Sequence, residues 1–519
     1  LDNEYGCHDT VLSYAPHCRS AFKRWLTRRH GSIERLNQGW GTVFWGQEYT
    51  DFNQIGLPYQ TVTEANPAHL LDFRRFSSDQ VIDYNRMQAE IIRQHSPERF
   101  ISHNAMGRFH DFDHAALAHD LDVITWDSYP LGFTDQRMGL DQATKARFAK
   151  TGHPDIAGFH HDLYRGVKED GRFWVMEQQP GPVNWADHNP IPANNMVRLW
   201  TLEALAHGAE VVSYFRWRQA PFAQEQMHAG LLRPDGEPTA VFAEVQKVRE
   251  ELGKLALDSE PTRPAKIALI ADDQSHWLYD IQPKGAGFDL EKLNLDVYTA
   301  CRRLGQDVDI VRPCADLSAY ALALMPSQPI VSGAAAEAFS AFDGVMVVGP
   351  RSGSKTREMQ IPETLPPGAL QKWLPLKVIQ VASLPPGIEE NLTWNDKTYT
   401  VNVWQEDIET DLDAAGHFEG GGGAIYRSEK WHYLAFWPDL TFLMDYIETL
   451  LTDLDIETQR LPERLRLRRR GHLVFAFNTG PKPEKAPAPE GTTFLLGSAE
   501  IEPCDVAVWR ASGVSTPVV

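Results

Sequence analysis

The sequence predicts an α/β protein whose first region, residues 1–257, belongs to a (β/α)₈ TIM barrel. Short apolar runs that suit strands alternate with amphipathic stretches that suit helices, a rhythm typical of parallel sheets. Polar and aromatic residues follow each predicted strand, as they do at the carboxyl-terminal rim of a barrel, where active sites lie. The predicted strands span residues 100–104, 123–128, 173–177 and 210–215, and the clearest helices span 80–95 and 196–207.

The predicted barrel is incomplete. A further strand is expected to end at Glu4, which brings the count to five of the eight strands that the fold requires. We therefore expect about three βα units, well over ~100 residues at the usual size of this fold, to be missing before Leu1. A barrel without them cannot close its ring of hydrogen bonds, so the sequence predicts that residues 1–519 alone lack activity.

Two further regions follow the barrel. Residues 258–460 are predicted to form a doubly wound α/β domain, with short strands at 266–271, 307–311, 321–325 and 344–348 separated by helices. Residues 461–519 are predicted to form a small β-domain. In its first strand Arg464, Arg466 and Arg468 alternate with leucines, so the three arginines share one face. We interpret that face as solvated or as a subunit contact.

Composition excludes several classes of partner. The 519-residue chain carries 70 acidic and 50 basic residues, a formal net charge of −20, which disfavours nucleic acids and anionic membranes. It has no apolar run of the ~18 residues that a membrane span needs. Five scattered cysteines do not suggest a disulfide framework and indicate a reducing compartment, so the sequence predicts a cytoplasmic protein.

Two glutamates carry the functional prediction. Glu4 lies in the segment DNEYG and Glu177 in MEQQPG, each at the predicted end of a strand and beside amide side chains and a glycine. A glycosidase needs two such carboxylates: one protonates the leaving oxygen, while the other attacks the sugar or activates a water. Taken alone, Glu4 also fits a solvated turn, and a buried Glu177 requires hydrogen bonds.

A polar and aromatic loop, RWRQAPFAQEQM, follows the last predicted strand of the barrel. Glu225 and His228 are three residues apart near its end, so they could share one side of a turn. For His228 a structural role is the alternative, and two residues are too few to define a metal site.

Long stretches of the chain resemble glycoside hydrolase family 42, the β-galactosidases: DNEYGCHDT, WDSYPLGFTD, GHPDIAGFHHDLYRG, FWVMEQQPGPVNW and SYFRWRQAPFAQEQMHAGL. The resemblance implies a retaining mechanism with Glu4 as acid/base and Glu177 as nucleophile, a galactoside substrate and no cofactor. It also implies a barrel, an α/β domain used in trimer formation and a small β-domain, hence a homotrimer. The galactose subsite is implied to be lined by Asn3, Trp45, Tyr129, Trp185, Phe215, Glu225 and His228.

The chain departs from the family pattern in two ways. A substrate-binding arginine of the family belongs to the strands that are absent here. Some members bind a structural zinc through a cysteine cluster, but the aligned positions are Ser13, Ala15 and Cys18, so we expect no metal there. Two alternatives stay open. One is an α-L-arabinopyranosidase of the same family, whose substrate lacks the C6 hydroxymethyl group, and the other is an inactive truncated fragment with only binding or assembly capacity.

Overall fold

The computed structural model describes residues 3–283 and 285–511, and the first region is built on a four-stranded parallel sheet. The strands lie side by side in chain order, as consecutive strands of a (β/α)₈ barrel do. They are β1 (Ser102–Met106), β2 (Val123–Ser128), β3 (Phe173–Gln178) and β4 (Val212–Tyr214). The four strands predicted from the apolar runs are therefore present, and their carboxyl ends lie at one edge of the sheet.

Helices separate and cover these strands, as parallel pairing requires. The longest, α3, begins at Pro67, and the side chain of Asn66 caps it by accepting from the backbone N–H groups of Ala68 and His69. The helices of the first region are α1 (Pro16–His30), α2 (Ile33–Trp40), α3 (Pro67–His95), α4 (His114–Ala118), α5 (Pro130–Gly132), α6 (Gln142–Phe148), α7 (Ile156–Val167), α8 (Met196–Ala206) and α9 (Ala240–Leu255). Every residue of α8 is buried, because the helix packs between its neighbours α7 and α9 and the C-terminal region.

The segment around Glu4 differs from the predicted strand. Residues 1 and 2 lie outside the described residues, and residues 3–9 form bends and turns. Glu4 has a φ of 52°, which is not a strand conformation. The backbone N–H of Tyr5 donates to the ring Nε2 of His103, at 3.2 Å, instead of to the carbonyl of a neighbouring strand. Glu4 is thus positioned by a turn that rests on β1.

The middle region contains a nine-stranded mixed sheet. All four predicted strands are present as β5 (Ile267–Ile270), β6 (Val308–Val311), β7 (Leu322–Met325) and β8 (Val345–Val348), and they pair in parallel. An antiparallel extension that the sequence did not predict adjoins them through β15. The extension consists of β10 (Glu390–Trp394), β11 (Lys397–Val401), β13 (Ala414–Phe418), β14 (Gly423–Ser428) and β15 (Trp431–Leu434), while β9 (Leu376–Ser383) and β12 (Trp404–Thr410) pair in a separate two-stranded sheet. The helices are α10 (Asp273–Ile281), α11 (Leu290–Arg303), α12 (Gly333–Ala341) and α13 (Leu440–Asp453).

The C-terminal region is all β, as predicted. A four-stranded antiparallel sheet has the order β16-β17-β21-β19, and β18 pairs with β20. The strands are β16 (Leu465–Arg470), β17 (Leu473–Asn478), β18 (Glu484–Lys485), β19 (Phe494–Leu496), β20 (Glu500–Ile501) and β21 (Asp505–Arg510).

The arginine face of β16 is not solvated, so that interpretation was wrong. Arg466 and Arg468 are only 2% and 1% exposed. Arg466 donates from two nitrogens to Asp155 at 2.7 and 2.6 Å, and Arg468 lies 3.5 Å from Asp162. Both aspartates belong to the first region, which covers this face of the strand. Alternation showed that the arginines share a face, but it carried no information about what covers them.

No helix in the described part of the chain is both long and apolar enough to cross a membrane.

Candidate active site

Three carboxyl groups meet beyond the carboxyl ends of the first sheet. Glu177 is near the end of β3, Asp127 lies opposite it on β2, and Glu4 approaches from the turn beside β1. One carboxylate oxygen from each of the three lies within 4.8 Å of the others. The structure therefore brings together the two predicted glutamates and adds an aspartate.

Hydrogen bonds orient the Glu177 carboxylate from two sides. Tyr129, which directly follows β2, donates its hydroxyl to Glu177 Oε2 at 2.5 Å. Asn104 on β1 donates its side-chain amide to Glu177 Oε1 at 3.2 Å and to Glu4 Oε1 at 3.4 Å. The Asn104 amide therefore bridges the two glutamates, and a buried carboxylate gains the hydrogen bonds that it requires.

Burial raises the pKa values of two of the clustered carboxyl groups, those of Glu177 and Asp127. It raises the pKa of Glu177 to about 7; the hydrogen bond from Tyr129 opposes the rise and the charge of Glu4 adds to it. Burial and the charges of Glu177 and Glu4 hold the pKa of Asp127 well above its usual value. The Asp127 Oδ1 also accepts the backbone N–H of Gly107, at 2.8 Å. Crowded carboxyl groups with raised pKa values are typical of acid–base sites.

The aromatic rings of Tyr129 and Trp185 lie beside the carboxylates. The Trp185 ring meets the Tyr129 ring edge-on, with centroids 5.7 Å apart, and the Arg137 guanidinium lies 5.1 Å from the Trp185 ring. Gly132 makes room for the indole, because a Cβ at that position would lie 2.5 Å from Trp185 Cη2. A flat apolar ring at this place can contact the C–H face of a sugar.

His228 is positioned as a neutral hydrogen-bond acceptor. Its Nδ1 lies 3.0 Å from Asn184 Oδ1, an acceptor, so we assign the ring proton to Nδ1. Burial lowers the pKa of His228 to about 4, and its buried Nε2 has no partner in the described part of the chain. The ring packs edge-on against Tyr129 and Phe215. A donor on a ligand, such as a sugar hydroxyl, would satisfy Nε2.

The loop after β4 supplies one side of the site. The backbone N–H of Phe215 donates to the carbonyl of Gln178, which continues the β3–β4 pairing. Arg216 stacks its guanidinium 4.4 Å from the Phe215 ring and forms an ion pair with Glu225. The Arg216 charge also lowers the pKa of Glu177, so this loop influences the carboxylate directly.

Two predicted subsite residues are not brought into this cluster. Trp45 is 63% exposed and packs on Phe44, with centroids 4.8 Å apart. Asn3 is exposed and borders a groove with Glu4 and Tyr84. Within residues 3–283 and 285–511, neither forms a hydrogen bond or ring contact with Glu177, Tyr129 or His228. Their role in sugar binding stays a prediction.

Asn104, Asp127, Asn184 and Arg216 were not among the predicted site residues. For three of them the sequence held a usable signal. Asn104 is the last residue of the strand predicted at 100–104, although the structure places it in the middle of β1, and Asp127 lies one residue before the end of β2. Arg216 directly follows Phe215. The role of Asn184 depends on its contact with His228, 44 residues away, and no local pattern indicated it.

The region aligned with the family's zinc site supplies one thiol. Cys18 donates its thiol to Ser13 at 3.1 Å, and Ala15 precedes the first residue of α1. Two other groups in the described chain place three potential ligands together: Glu4 with Asp127 and Glu177, and His110 with His276 and Glu291. The first is the carboxylate cluster of the site.

Comparisons with known proteins cover all three regions. Residues 1–255 match a family model described as β-galactosidase, residues 265–457 match a β-galactosidase trimerisation domain, and residues 464–511 match a β-galactosidase C-terminal domain. The β-galactosidase BgaA of a Thermus species is 56% identical over 509 residues, which cover 98% of this chain and 78% of that protein. The β-galactosidase BgaH of Haloferax lucentense is 36% identical with the same coverage of both chains.

Solved structures agree with these matches. The β-galactosidase of the psychrophilic Marinomonas ef1 superposes with a TM-score of 0.95 at 44% identity. The β-galactosidase of the Antarctic haloarchaeon Halorubrum lacusprofundi gives a TM-score of 0.93 at 35% identity. Each comparison covers 98% of this chain and 78% of the other.

Proposed function

Because the chain belongs to glycoside hydrolase family 42, the β-galactosidases, we propose that it removes terminal non-reducing β-D-galactose residues by a retaining double displacement. The observation that carries the proposal is the approach of Glu4 and Glu177, whose nearest carboxylate oxygens lie within 4.8 Å. Retaining enzymes hold the two carboxyl groups ~5–5.5 Å apart, whereas inverting enzymes separate them by ~6.5–9.5 Å to admit a water.

In the first step Glu177, ionised, attacks the anomeric carbon while Glu4 gives its proton to the departing glycosidic oxygen. The bond from the anomeric carbon to that oxygen breaks as the bond to Glu177 forms. Tyr129 and Asn104 hold the two Glu177 oxygens, so the nucleophile is oriented before the substrate arrives.

In the second step Glu4, now ionised, takes a proton from water, and the water oxygen attacks the anomeric carbon of the galactosyl-enzyme. The ester bond to Glu177 breaks and galactose leaves with its original configuration. The Asn104 amide contacts both glutamates, so it can donate to whichever of them is ionised at each step of the reaction.

The surrounding residues provide sugar recognition in this proposal. Trp185 contacts the apolar sugar face, and His228 Nε2 accepts from a hydroxyl, which would end its unpartnered state. Phe215 and Glu225 belong to the segment after β4. Asn3 and Trp45 lie outside the cluster, and their contact with the sugar stays a prediction. An epimer whose hydroxyl points elsewhere would leave the buried His228 acceptor unpaired, and it would therefore bind more weakly.

Two measurements test the activity. Rates on nitrophenyl β-D-galactoside should exceed those on nitrophenyl α-L-arabinopyranoside, and NMR should show the β-anomer of galactose as the first product. A preference for the arabinopyranoside would favour the alternative activity, and a first-formed α-anomer would overturn the retaining mechanism.

Tyr129→Phe should move the acidic limb of the kcat/KM profile to higher pH. The hydroxyl of Tyr129 lowers the pKa of Glu177, so its removal raises that pKa further above its already elevated value of about 7. Because the nucleophile must be ionised, activity is then lost at a higher pH as the solution is acidified. Tyr214→Phe is the matched control, since its hydroxyl bonds Thr201. An unchanged limb in Tyr129→Phe would contradict the role of this hydrogen bond.

We propose further that the chain has three domains, residues 1–257, 258–460 and 461–519, and that the second forms a homotrimer. The match of residues 265–457 to a trimerisation domain supports this. Light scattering coupled to gel filtration should give three times the mass of one chain at micromolar concentration. A monomer mass under those conditions would contradict the trimer.

A further inference from the structure

A second group of ionisable side chains lies where the loop after β1 meets helices α10 and α11. His110 comes from that loop, His276 from α10 and Glu291 from α11. Each offers one potential ligand atom, and the three atoms lie within 4.8 Å of one another. The mechanism proposed above uses none of these residues.

Two of the three distances between the potential ligand atoms are close to those around a small tetrahedral ion. Two ligands that each lie ~2.0–2.1 Å from a tetrahedral zinc are about 3.3 Å apart. His110 Nε2 lies 3.2 Å from Glu291 Oε2, and His276 Nε2 lies 3.6 Å from the same oxygen. Two imidazoles and one carboxylate are a donor set that zinc accepts, with water in the fourth position.

The carboxylate of Asp273, which is not one of the three potential ligands, already contacts the His110 ring. His110 Nδ1 lies 3.1 Å from Asp273 Oδ1, and the other oxygen of Asp273 is 3.1 Å from His114 Nδ1. Ligating histidines usually donate their second ring N–H to a carboxylate in this way, which directs the lone pair of the other nitrogen toward the metal. Here that other nitrogen is Nε2, which faces Glu291.

One oxygen of the cluster is buried without a donor. Glu291 Oε1 has no hydrogen-bond partner in the described part of the chain, and the side chain is only 3% exposed. His160 Nε2, 4.0 Å from this oxygen, already accepts the backbone N–H of Arg108 and cannot donate. An unpaired buried carboxylate oxygen is expensive, so its presence beside two histidines points to a cation.

The cluster is reachable from solvent-filled space. A cavity of about 320 Å³ is lined by His110, His114, Asp273, His276 and Glu291 together with apolar residues of both regions. A second, wider groove is lined by His110, His276 and Glu291 as well. An ion and its water therefore have a route to the ligands.

We propose that His110, His276 and Glu291 bind one zinc ion that ties the first region to the middle region. The rings of His110 and His276 now stack in parallel with centroids 3.6 Å apart, so their lone pairs do not converge. Binding therefore requires the His276 ring to turn, and this ring makes no hydrogen bond within residues 3–283 and 285–511 that would resist it. This site is separate from the segment that contains Ser13 and Cys18.

The ion would stabilise a loop that reaches the active site. The loop between β1 and α4 contains His110 and also Gly107, whose backbone N–H supports Asp127 beside Glu177. The alternative to a metal is a proton: although burial opposes it, Glu291 and Asp273 raise the pKa of His110 to about 10, so a charged imidazole could pair with both carboxylates. Metal binding replaces the proton on Nε2.

The experiment measures zinc in the purified protein. Protein treated with chelator is incubated with zinc chloride, passed through gel filtration and analysed for metal, and its thermal unfolding is recorded with and without zinc. We expect one zinc per chain and a higher Tm with zinc. His276→Gln should weaken zinc affinity at least ~100-fold and abolish the Tm increase, since it removes a direct ligand. His119→Gln, at a histidine whose side chain is 87% exposed, and Cys18→Ser should behave as the parent protein.

The absorption spectrum of the cobalt-loaded parent protein provides a test that needs no variant. Cobalt added in place of zinc should give the visible absorption of a tetrahedral nitrogen and oxygen site, without a thiolate charge-transfer band. Failure of the parent protein to retain zinc would overturn the proposal. So would full retention by His276→Gln, or loss of zinc in Cys18→Ser together with a thiolate band in the cobalt protein.

Discussion

The Glu177→Gln variant should lose several orders of magnitude of kcat on aryl β-galactosides. The amide keeps the shape of the side chain and can still accept from Tyr129, but it cannot form the glycosyl ester. Folding should be intact or improved: burial raises the pKa of Glu177 to about 7, so above that pH its charge costs stability, and the neutral amide removes this cost. The Tm at pH 8 should therefore equal or exceed that of the parent enzyme.

The control for this variant is Glu169→Gln, an exposed glutamate in the loop between α7 and β3. It should retain parent activity. Azide added to Glu177→Gln should not restore a product of retained configuration, because the covalent intermediate never forms. Retention of more than about a tenth of the parent kcat would show that Glu177 is not the nucleophile.

The Glu4→Ala variant should lose most activity on substrates whose leaving group must be protonated as it departs. General acid catalysis contributes roughly 100- to 10,000-fold, so lactose-like substrates with alkoxide leaving groups should lose about that factor. Aryl galactosides with acidic phenols need no protonation and should still form the galactosyl-enzyme. Its hydrolysis then becomes slow, and azide, which needs no base, should accelerate turnover and yield the β-galactosyl azide.

Glu169→Ala serves as the control for a lost surface carboxylate and should show no dependence on the leaving group. The measurements are kcat/KM across a series of aryl galactosides of increasing phenol pKa, and kcat on the most reactive of them with and without azide. An equal loss across the series, or no effect of azide, would mean that Glu4 is not the acid/base.

Much of the fold followed from patterns that lie within a short window of sequence. The strand predicted at residues 123–128 is β2, and the helix predicted at 196–207 is α8 to within one residue, because burial on a sheet or a helix repeats at a period that the residues themselves display. Glu177 was identified for the same reason, since it ends an apolar strand and precedes polar side chains. The resemblance to a known family added the assignment of Glu4, whose local conformation is a turn and not the predicted strand.

Other features required the tertiary structure. The sequence placed Arg466 and Arg468 on one face of a strand, but only packing against Asp155 and Asp162 decided that the face is buried. Asn104 and Asp127 belong to correctly predicted strands, yet their approach to Glu177 depends on how the strands pair.

The cluster of His110, His276 and Glu291 shows most clearly what the sequence alone could not predict. His110, His276 and Glu291 are up to 181 residues apart and follow no shared motif. Sequence alone determined many of the strands and helices, and it placed Glu177 near the end of one strand, because these features depend on local backbone preference and on periodic burial. The tertiary structure alone decided which charged side chains from distant segments share a buried site, because that depends on the distances left between elements once their apolar faces have packed.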